Sequence, residues 1–250
     1  LKLRNLNSLS DEDMVNLQRA NLMLSTSPNP SVETLLHAFL PHKFVDHTHA
    51  TPFLVLANLK NYKEITEEVF GNKFCIVPYI MPGFKLSKKA IEIYEKNKDT
   101  EAMLLVNHGY FTWGDTAKSS YEKVIEHSNK LEAFLSKNKK VYQAKSVKKN
   151  NFNYQDFISI FRKKILKHTD DTSYSPIFDL RNDNFALDFM ERKDLLQLSK
   201  KGVSSPDHVI RIKKEPIILD FSDNNFDAEL SKKIIAYKNN YIKYFKANSL

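Results

Sequence analysis

A single cysteine, Cys75, stands among the 250 residues, so neither an internal disulfide framework nor a thiolate-rich structural zinc site can be built. One cysteine fits a reducing compartment, and Cys75 reads as a small buried hydrophobe rather than a nucleophile. Glycine is almost as scarce: Gly71, Gly83, Gly109, Gly114 and Gly202 stand isolated. No Gly-x-Gly-x-x-Gly fingerprint therefore follows a strand, and no nucleotide cofactor is assigned. Apolar runs all fall short of the ~18 uninterrupted residues of a membrane span, and the amino end reads as a polar, acidic helix rather than a signal sequence. A soluble, cytoplasmic protein without a membrane partner is expected. With 42% hydrophobic residues the chain can bury a core as one large or two small domains.

The formal net charge is +8, with a pI near 9.2. The lysines nevertheless lie scattered among asparagines and glutamates. The densest cluster, Lys137, Lys139, Lys140, Lys145, Lys148 and Lys149, reads as a solvated helix end and loop. No RNA-recognition signature, zinc-finger spacing or helix-turn-helix pattern accompanies it, so no nucleic-acid partner is expected. The positive excess suits a phosphorylated substrate.

What the chain does have is histidine in an informative arrangement. In Phe44-Val45-Asp46-His47-Thr48-His49-Ala50, strand alternation puts His47 and His49 on one side. Far downstream, Leu104-Leu105-Val106-Asn107-His108-Gly109 offers a third imidazole after an apolar strand. Paired strand histidines taken alone are more often hydrogen-bonded than metallated. Three protein ligands with an open position, however, is the arrangement of a catalytic zinc.

Patterning organises the rest. Ser10 caps a helix beginning Asp11-Glu12-Asp13 and running to about Leu24, with Met14, Leu17 and Leu24 on a buried face. A second capped helix starts near Ser31 and runs towards Leu40. Helices are expected over 52–58, 64–70, 87–97, 116–135, 154–166 and 227–246, and strands over 74–79 and 103–107. Two short strands are read at 208–212 and 216–220. The last helix carries an apolar face of Leu230, Ile234, Tyr237, Tyr241, Tyr244 and Phe245. His127 and His168 are assigned to helix surfaces, His42 to a flank of Pro41, and His37 to contact with Glu33 one turn away. His208 reads as a strand-start histidine satisfied by backbone, with reach to the site from the tail as the alternative.

Pro30-Ser31-Val32-Glu33-Thr34-Leu35-Leu36-His37, then Val45-Asp46-His47-Thr48-His49-Ala50, then Asn107-His108-Gly109 resembles the class II aldolase/adducin family in order and spacing. More narrowly, residues 41–49, 108–114 and 205–211 look like the aldolase part of bifunctional rhamnulose-1-phosphate aldolase/short-chain dehydrogenase proteins. The resemblance implies an α/β, three-layer fold with a largely antiparallel central sheet flanked by helices. It implies an aldolase-like core with the metal site over residues 1–140 and a carboxy-terminal extension over 141–250. It further implies a Zn2+ held by His47, His49 and His108, with Glu33 as acid/base and Tyr79 exchanging a proton with the aldehyde oxygen, in some members across a subunit boundary of a homo-oligomer. Read from its own neighbourhood, Glu33 is also a first-turn acid favoured by the helix dipole, and Tyr79 a strand-end packing residue.

The implied reaction is zinc-dependent cleavage of a ketose 1-phosphate such as rhamnulose 1-phosphate into dihydroxyacetone phosphate and lactaldehyde. A sugar-phosphate 4-epimerase or dehydratase, and an inactive adducin-like interaction module, are the alternatives. Such aldolases carry an upstream glycine- and asparagine-containing phosphate cradle with no equivalent here. A truncated product, folded but weak or inactive towards sugar phosphates, is therefore expected.

Overall fold

The computed structural model describes residues 2–138, 153–169, 173, 175–219 and 226–249. Two compact units are distinguished: Leu1–Val141 with Val203–Lys213, and Tyr142–Gly202 with Lys214–Leu250.

The first unit is built on a four-stranded sheet of β1 (Phe44–Thr48), β2 (Phe74–Val77), β3 (Ala102–Leu105) and β4 (Gly109–Gly114), in the order β1-β4-β3-β2. The sheet is mixed, which corrects the expectation of a largely antiparallel one. β4 runs antiparallel to both β1 and β3, whereas β2 and β3 are parallel. The cause is the connection: β2 returns to β3 through a helix, and a crossover of that kind delivers a parallel neighbour. β4 is a strand that the sequence reading passed over. Only three residues separate it from β3.

Period-two alternation divides the side chains between two cores. Cys75, Val77, Met103, Leu105, Phe111 and Trp113 face helices α1 (Asp11–Ala20), α2 (Thr34–Phe39) and α5 (Phe84–Glu95). Phe74, Ala102, Leu104 and Tyr110 face α3 (Thr51–Ala57), α4 (Tyr62–Phe70) and α6 (Ala117–Asn138). Helix–sheet–helix layering follows, because the inner strands β3 and β4 are buried on both faces.

Local signals set the helix ends. Ser10 accepts from the Asp13 amide at 3.1 Å, the expected cap of α1. That helix stops at Ala20, short of the predicted Leu24, where the Asn21 side chain donates to the Leu17 carbonyl at 2.8 Å. Leu17 and Leu24 are consequently exposed, and Met14 alone of the predicted trio is buried. His127 also departs from expectation. It lies buried on α6, its ring against Phe70 and Phe74 and its Nε2 3.3 Å from Glu101. It shares the inward stripe of α6 with Ser120 and Leu131 at helical spacing.

Residues 208–212, expected as a strand, form part of helix α10 (Pro206–Ile212). Ser205-Pro206-Asp207 is a helix start, with proline at the first helical position and an acid beside it. This helix belongs to the first unit.

In the second unit lie α7 (Tyr154–Lys167), α8 (Asn184–Met190), α9 (Leu195–Ser199) and α11 (Phe226–Asn248). Asn153 and Asp183 cap the first two of these helices through their side chains. Lys164 ties α7 to α11 through Asp227 at 2.9 Å and Ser231 at 2.7 Å. Residues 216–219 are not a strand. Side chains of α11 take carbonyls that a ladder would use, Tyr237 from Glu215 and Lys233 from Ile218. On α11, Leu230 and Ile234 are buried as expected and Phe245 is exposed. Lys139, Lys140, Lys145, Lys148, Lys149 and Asp220 lie outside the described residues. No described helix is long and apolar enough to cross a membrane.

Candidate metal centre

The site sits at one end of the sheet, where β1, the β3–β4 turn and the start of α2 converge. His47 belongs to β1 opposite Phe111 of β4, and the two rings stack with centroids 4.2 Å apart. His49 lies one residue beyond the strand. The β3–β4 turn is closed by the His108 amide donating to the Leu105 carbonyl at 3.2 Å. At Asn107 the backbone is left-handed, φ +56°, a conformation that asparagine tolerates better than most residues. Its amide donates to the Ala57 carbonyl at 3.0 Å and its side chain to Asn58 at 2.9 Å, which fixes the turn that presents His108.

One ligand atom from each of Glu33, His47, His49 and His108 lies within 4.8 Å of the others. His47 Nε2 and His49 Nε2 are 3.0 Å apart, and Glu33 reaches His108 Nε2 at 2.6 Å and His47 Nε2 at 3.5 Å. Ligands each ~2.0–2.1 Å from a tetrahedral zinc would stand about 3.4 Å from one another, close to these spacings. The His47 tautomer agrees. His47 Nδ1 sits 3.0 Å from the Tyr110 carbonyl, which can only accept, so Nδ1 carries the proton and Nε2 turns its lone pair inward. Such an outer partner both orients a metal-ligating imidazole and raises its basicity. Glu33 Oε1 is buried against His108 Nε2 at 2.6 Å, and a carboxylate packed among three imidazole nitrogens is a donor set that a cation would stabilise. The donor set of imidazole and carboxylate suits zinc or a related divalent transition metal.

Electrostatics favour the ligand-ready protonation states. Burial pushes His47 down to about 4, against the opposing pull of Glu33. Burial and the neighbouring His108 lower His49, with Glu33 and Asp207 acting the other way and His208 adding to the fall. Burial alone would raise Glu33, but its contact with His108 and the surrounding imidazoles leave its carboxyl below the ordinary range. At neutral pH a carboxylate thus faces the three imidazoles, and the His47 Nε2 lone pair is turned inward.

Glu33 occupies the cap position of α2 without bonding its helix through its side chain, and its own amide donates to Ser31 Oγ at 3.2 Å. Its carboxylate turns instead to the imidazoles. His37 turns its Nδ1 to the Val45 carbonyl at 3.2 Å, and His42 stacks on Trp113 at 4.9 Å. Tyr79 lies past the end of β2, 53% exposed and outside the cluster. Asn107 and the Tyr110 carbonyl are the supports that sequence reasoning missed. An asparagine directly before the third histidine was the available signal for the turn.

Gly109 is needed for closeness. A Cβ there would lie 2.7 Å from the Thr48 carbonyl oxygen, 2.7 Å from His49 Cδ2 and 3.2 Å from His47 Cε1. Backbone on one side and two candidate ligands on the other leave little room to yield. Gly109→Ala is expected to destabilise the chain by about 1–3 kcal/mol, the usual cost of overpacking, and to weaken zinc binding. Urea unfolding and zinc titration of the variant check this. Parent-like values in both would show that the strands have room to part.

Comparison with known proteins places these features in a family. Residues 4–135 match the class II aldolase and adducin N-terminal domain, and residues 153–250 match the second domain of class II aldolases. An uncharacterized oxidoreductase, YuxG, of Bacillus subtilis (strain 168) is 32% identical over 96% of this chain, which spans only 36% of that relative. Among solved structures, the N-terminal class II aldolase domain of a conserved protein from Thermoplasma acidophilum is 34% identical with a TM-score of 0.50. That alignment covers 54% of this chain and 62% of the other. With one family model covering more than half its length and the sheet, turn and histidines in place, this chain belongs to the class II aldolase and adducin family.

Proposed function

We propose that the chain is a zinc-dependent lyase domain that cleaves a ketose 1-phosphate, with rhamnulose 1-phosphate as substrate and dihydroxyacetone phosphate and lactaldehyde as products. The observation that carries this reading is the convergence of Glu33, His47, His49 and His108 around one small volume, with His47 held so that its lone pair faces inward. His47, His49 and His108 would hold the metal. When bound, a divalent cation there polarises a substrate carbonyl and stabilises negative charge developing on its oxygen.

The chain's own groups supply the rest. The Tyr110 carbonyl keeps His47 in one tautomer and orientation. Glu33 is ionised at neutral pH, so in the direction of bond formation it removes a proton from the carbon next to the carbonyl, and in cleavage it returns that proton. Its surroundings limit access by water, with the Glu33 side chain 17% exposed and that of His108 3% exposed. Tyr79, exposed on this chain, would serve the aldehyde oxygen of a neighbouring copy in a homo-oligomer. The excess of positive charge favours approach of a phosphorylated sugar. A cytoplasmic setting accords with the single buried cysteine.

The test couples metal analysis to chemistry. Zinc-incubated protein, dialysed and analysed for metal, should retain close to one zinc per chain. Release of dihydroxyacetone phosphate from rhamnulose 1-phosphate should then disappear with a chelator and return with zinc. A folded preparation that takes up no zinc, or cleavage of the ketose 1-phosphate that persists after full removal of the metal, overturns the proposal.

A further inference from the structure

Helix α10 is separated from His108 by about a hundred residues of sequence, yet it shares the metal site's unit. Its attachment is specific. The Asn58 side chain donates to the Ser204 carbonyl at 2.9 Å while its own carbonyl oxygen accepts from Asn107 at 2.9 Å. Asn107 is the left-handed residue immediately before His108. The segment leading into α10 therefore hangs, through one asparagine, on the turn that presents the third imidazole.

Ser205 is buried, 3% exposed, and Pro206 starts the helix behind it. Its Oγ lies 2.7 Å from His208 Nδ1, with Ser204 Oγ at 3.4 Å. Two hydroxyls at Nδ1 leave the opposite nitrogen, Nε2, for another partner. His208 is half-buried rather than splayed into solvent. Both Asp207 and His208 are near enough to His49 to act on it electrostatically.

Resting on the aldolase reading above, we propose that His208 is a substrate-contacting residue of this site. The Ser205 hydroxyl donates to Nδ1, the ring proton resides on Nε2, and Nε2–H donates to an oxygen of the bound ketose phosphate. An imidazole fixed from behind suits the role, because its outward nitrogen offers one directed donor. Nature thereby completes the site from the far side of the sequence, using a segment whose only covalent link to the sheet runs through the second unit.

The experiment uses the 250-residue chain loaded with zinc. Its probes are rhamnulose 1-phosphate and phosphoglycolohydroxamate, a mimic of deprotonated dihydroxyacetone phosphate. Zinc content, unfolding midpoint, hydroxamate affinity by calorimetry and, where turnover is measurable, kcat/KM are compared for the parent, His208→Ala and His208→Gln. The alanine variant should keep its zinc and unfolding midpoint but lose about tenfold or more in hydroxamate affinity, in kcat/KM, or in both, the effect of a lost directed hydrogen bond of about 1.4 kcal/mol. His208→Gln, whose amide can still donate, should recover part of the loss. Hydroxamate affinity and kcat/KM both within twofold of the parent overturn the assignment, as does loss of zinc or folding in both variants, which would make His208 structural. A parent that binds zinc but neither binds the hydroxamate nor cleaves the sugar phosphate sinks the aldolase reading itself, a result distinct from any failure of the variants.

Discussion

Glu33→Gln is expected to retain zinc while losing about 10²–10⁴ of turnover, the usual contribution of a positioned acid/base. Glutamine keeps the shape and length of the side chain, so the α2 start and the packing around it should survive. What it cannot do is accept a proton. Glu33 stands 2.6 Å from His108 Nε2 and 3.5 Å from His47 Nε2, and its carboxyl lies below the ordinary range despite burial. Those neighbours hold it as a carboxylate among the candidate metal ligands. Its side chain does not cap α2, so stability should change little from loss of a cap. Metal analysis and single-turnover cleavage on the same preparation separate the outcomes. Turnover equal to the parent would remove Glu33 from proton transfer. Loss of zinc together with turnover would instead make the carboxylate a ligand.

The parts of this molecule that were legible in its sequence are those governed by short-range rules. Ser10 followed by three acids announced α1, and the alternation of His47 with His49 announced a shared face, because capping and strand pleat act within a few residues. The alternating cores on the two sheet faces are a consequence of the same pleat. What escaped was set by pairing and by turns. β4 was passed over because Val106-Asn107-His108 reverses the chain in three residues, and its apolar run could not be distinguished from buried loop without a strand partner. The parallel β2–β3 pair depended on where α5 returns the chain. His208-Val209-Ile210-Arg211-Ile212 alternates like a strand, but the Ser205-Pro206-Asp207 start, a local helix signal, prevailed. The candidate site divides in the same way. Its imidazoles could be read from spacing, whereas the Tyr110 carbonyl behind His47 and the Asn58–Asn107 link behind His108 are tertiary contacts with no spacing of their own.

In the metal-free protein, stability should fall as the pH is lowered from about 6.5 towards 4. His47 has an ordinary value of 6.5 in the unfolded chain, and burial, foremost, pushes it down to about 4 in the folded one. Between those values the unfolded state binds a proton that the folded state refuses, so acid favours unfolding. For His47 that interval corresponds to roughly 3 kcal/mol. His127, buried between Phe70 and Phe74, and His49 are lowered first by burial as well and add in the same direction. Glu33, also lowered, contributes stability that is lost when its carboxylate takes up a proton at still lower pH. Urea unfolding of chelator-treated protein at pH 7, 6 and 5 should give steadily falling midpoints at constant slope, and His47→Gln should flatten the trend. Zinc should raise the midpoint at every pH, but by less as the pH falls, because it binds only the deprotonated imidazoles and protons compete with it. A midpoint that stays level from pH 7 to 5 in the metal-free chain would mean that His47 is open enough to accept its proton where it stands. The inward-facing lone pair on which the metal site depends would then be lost as a fixed feature of the fold.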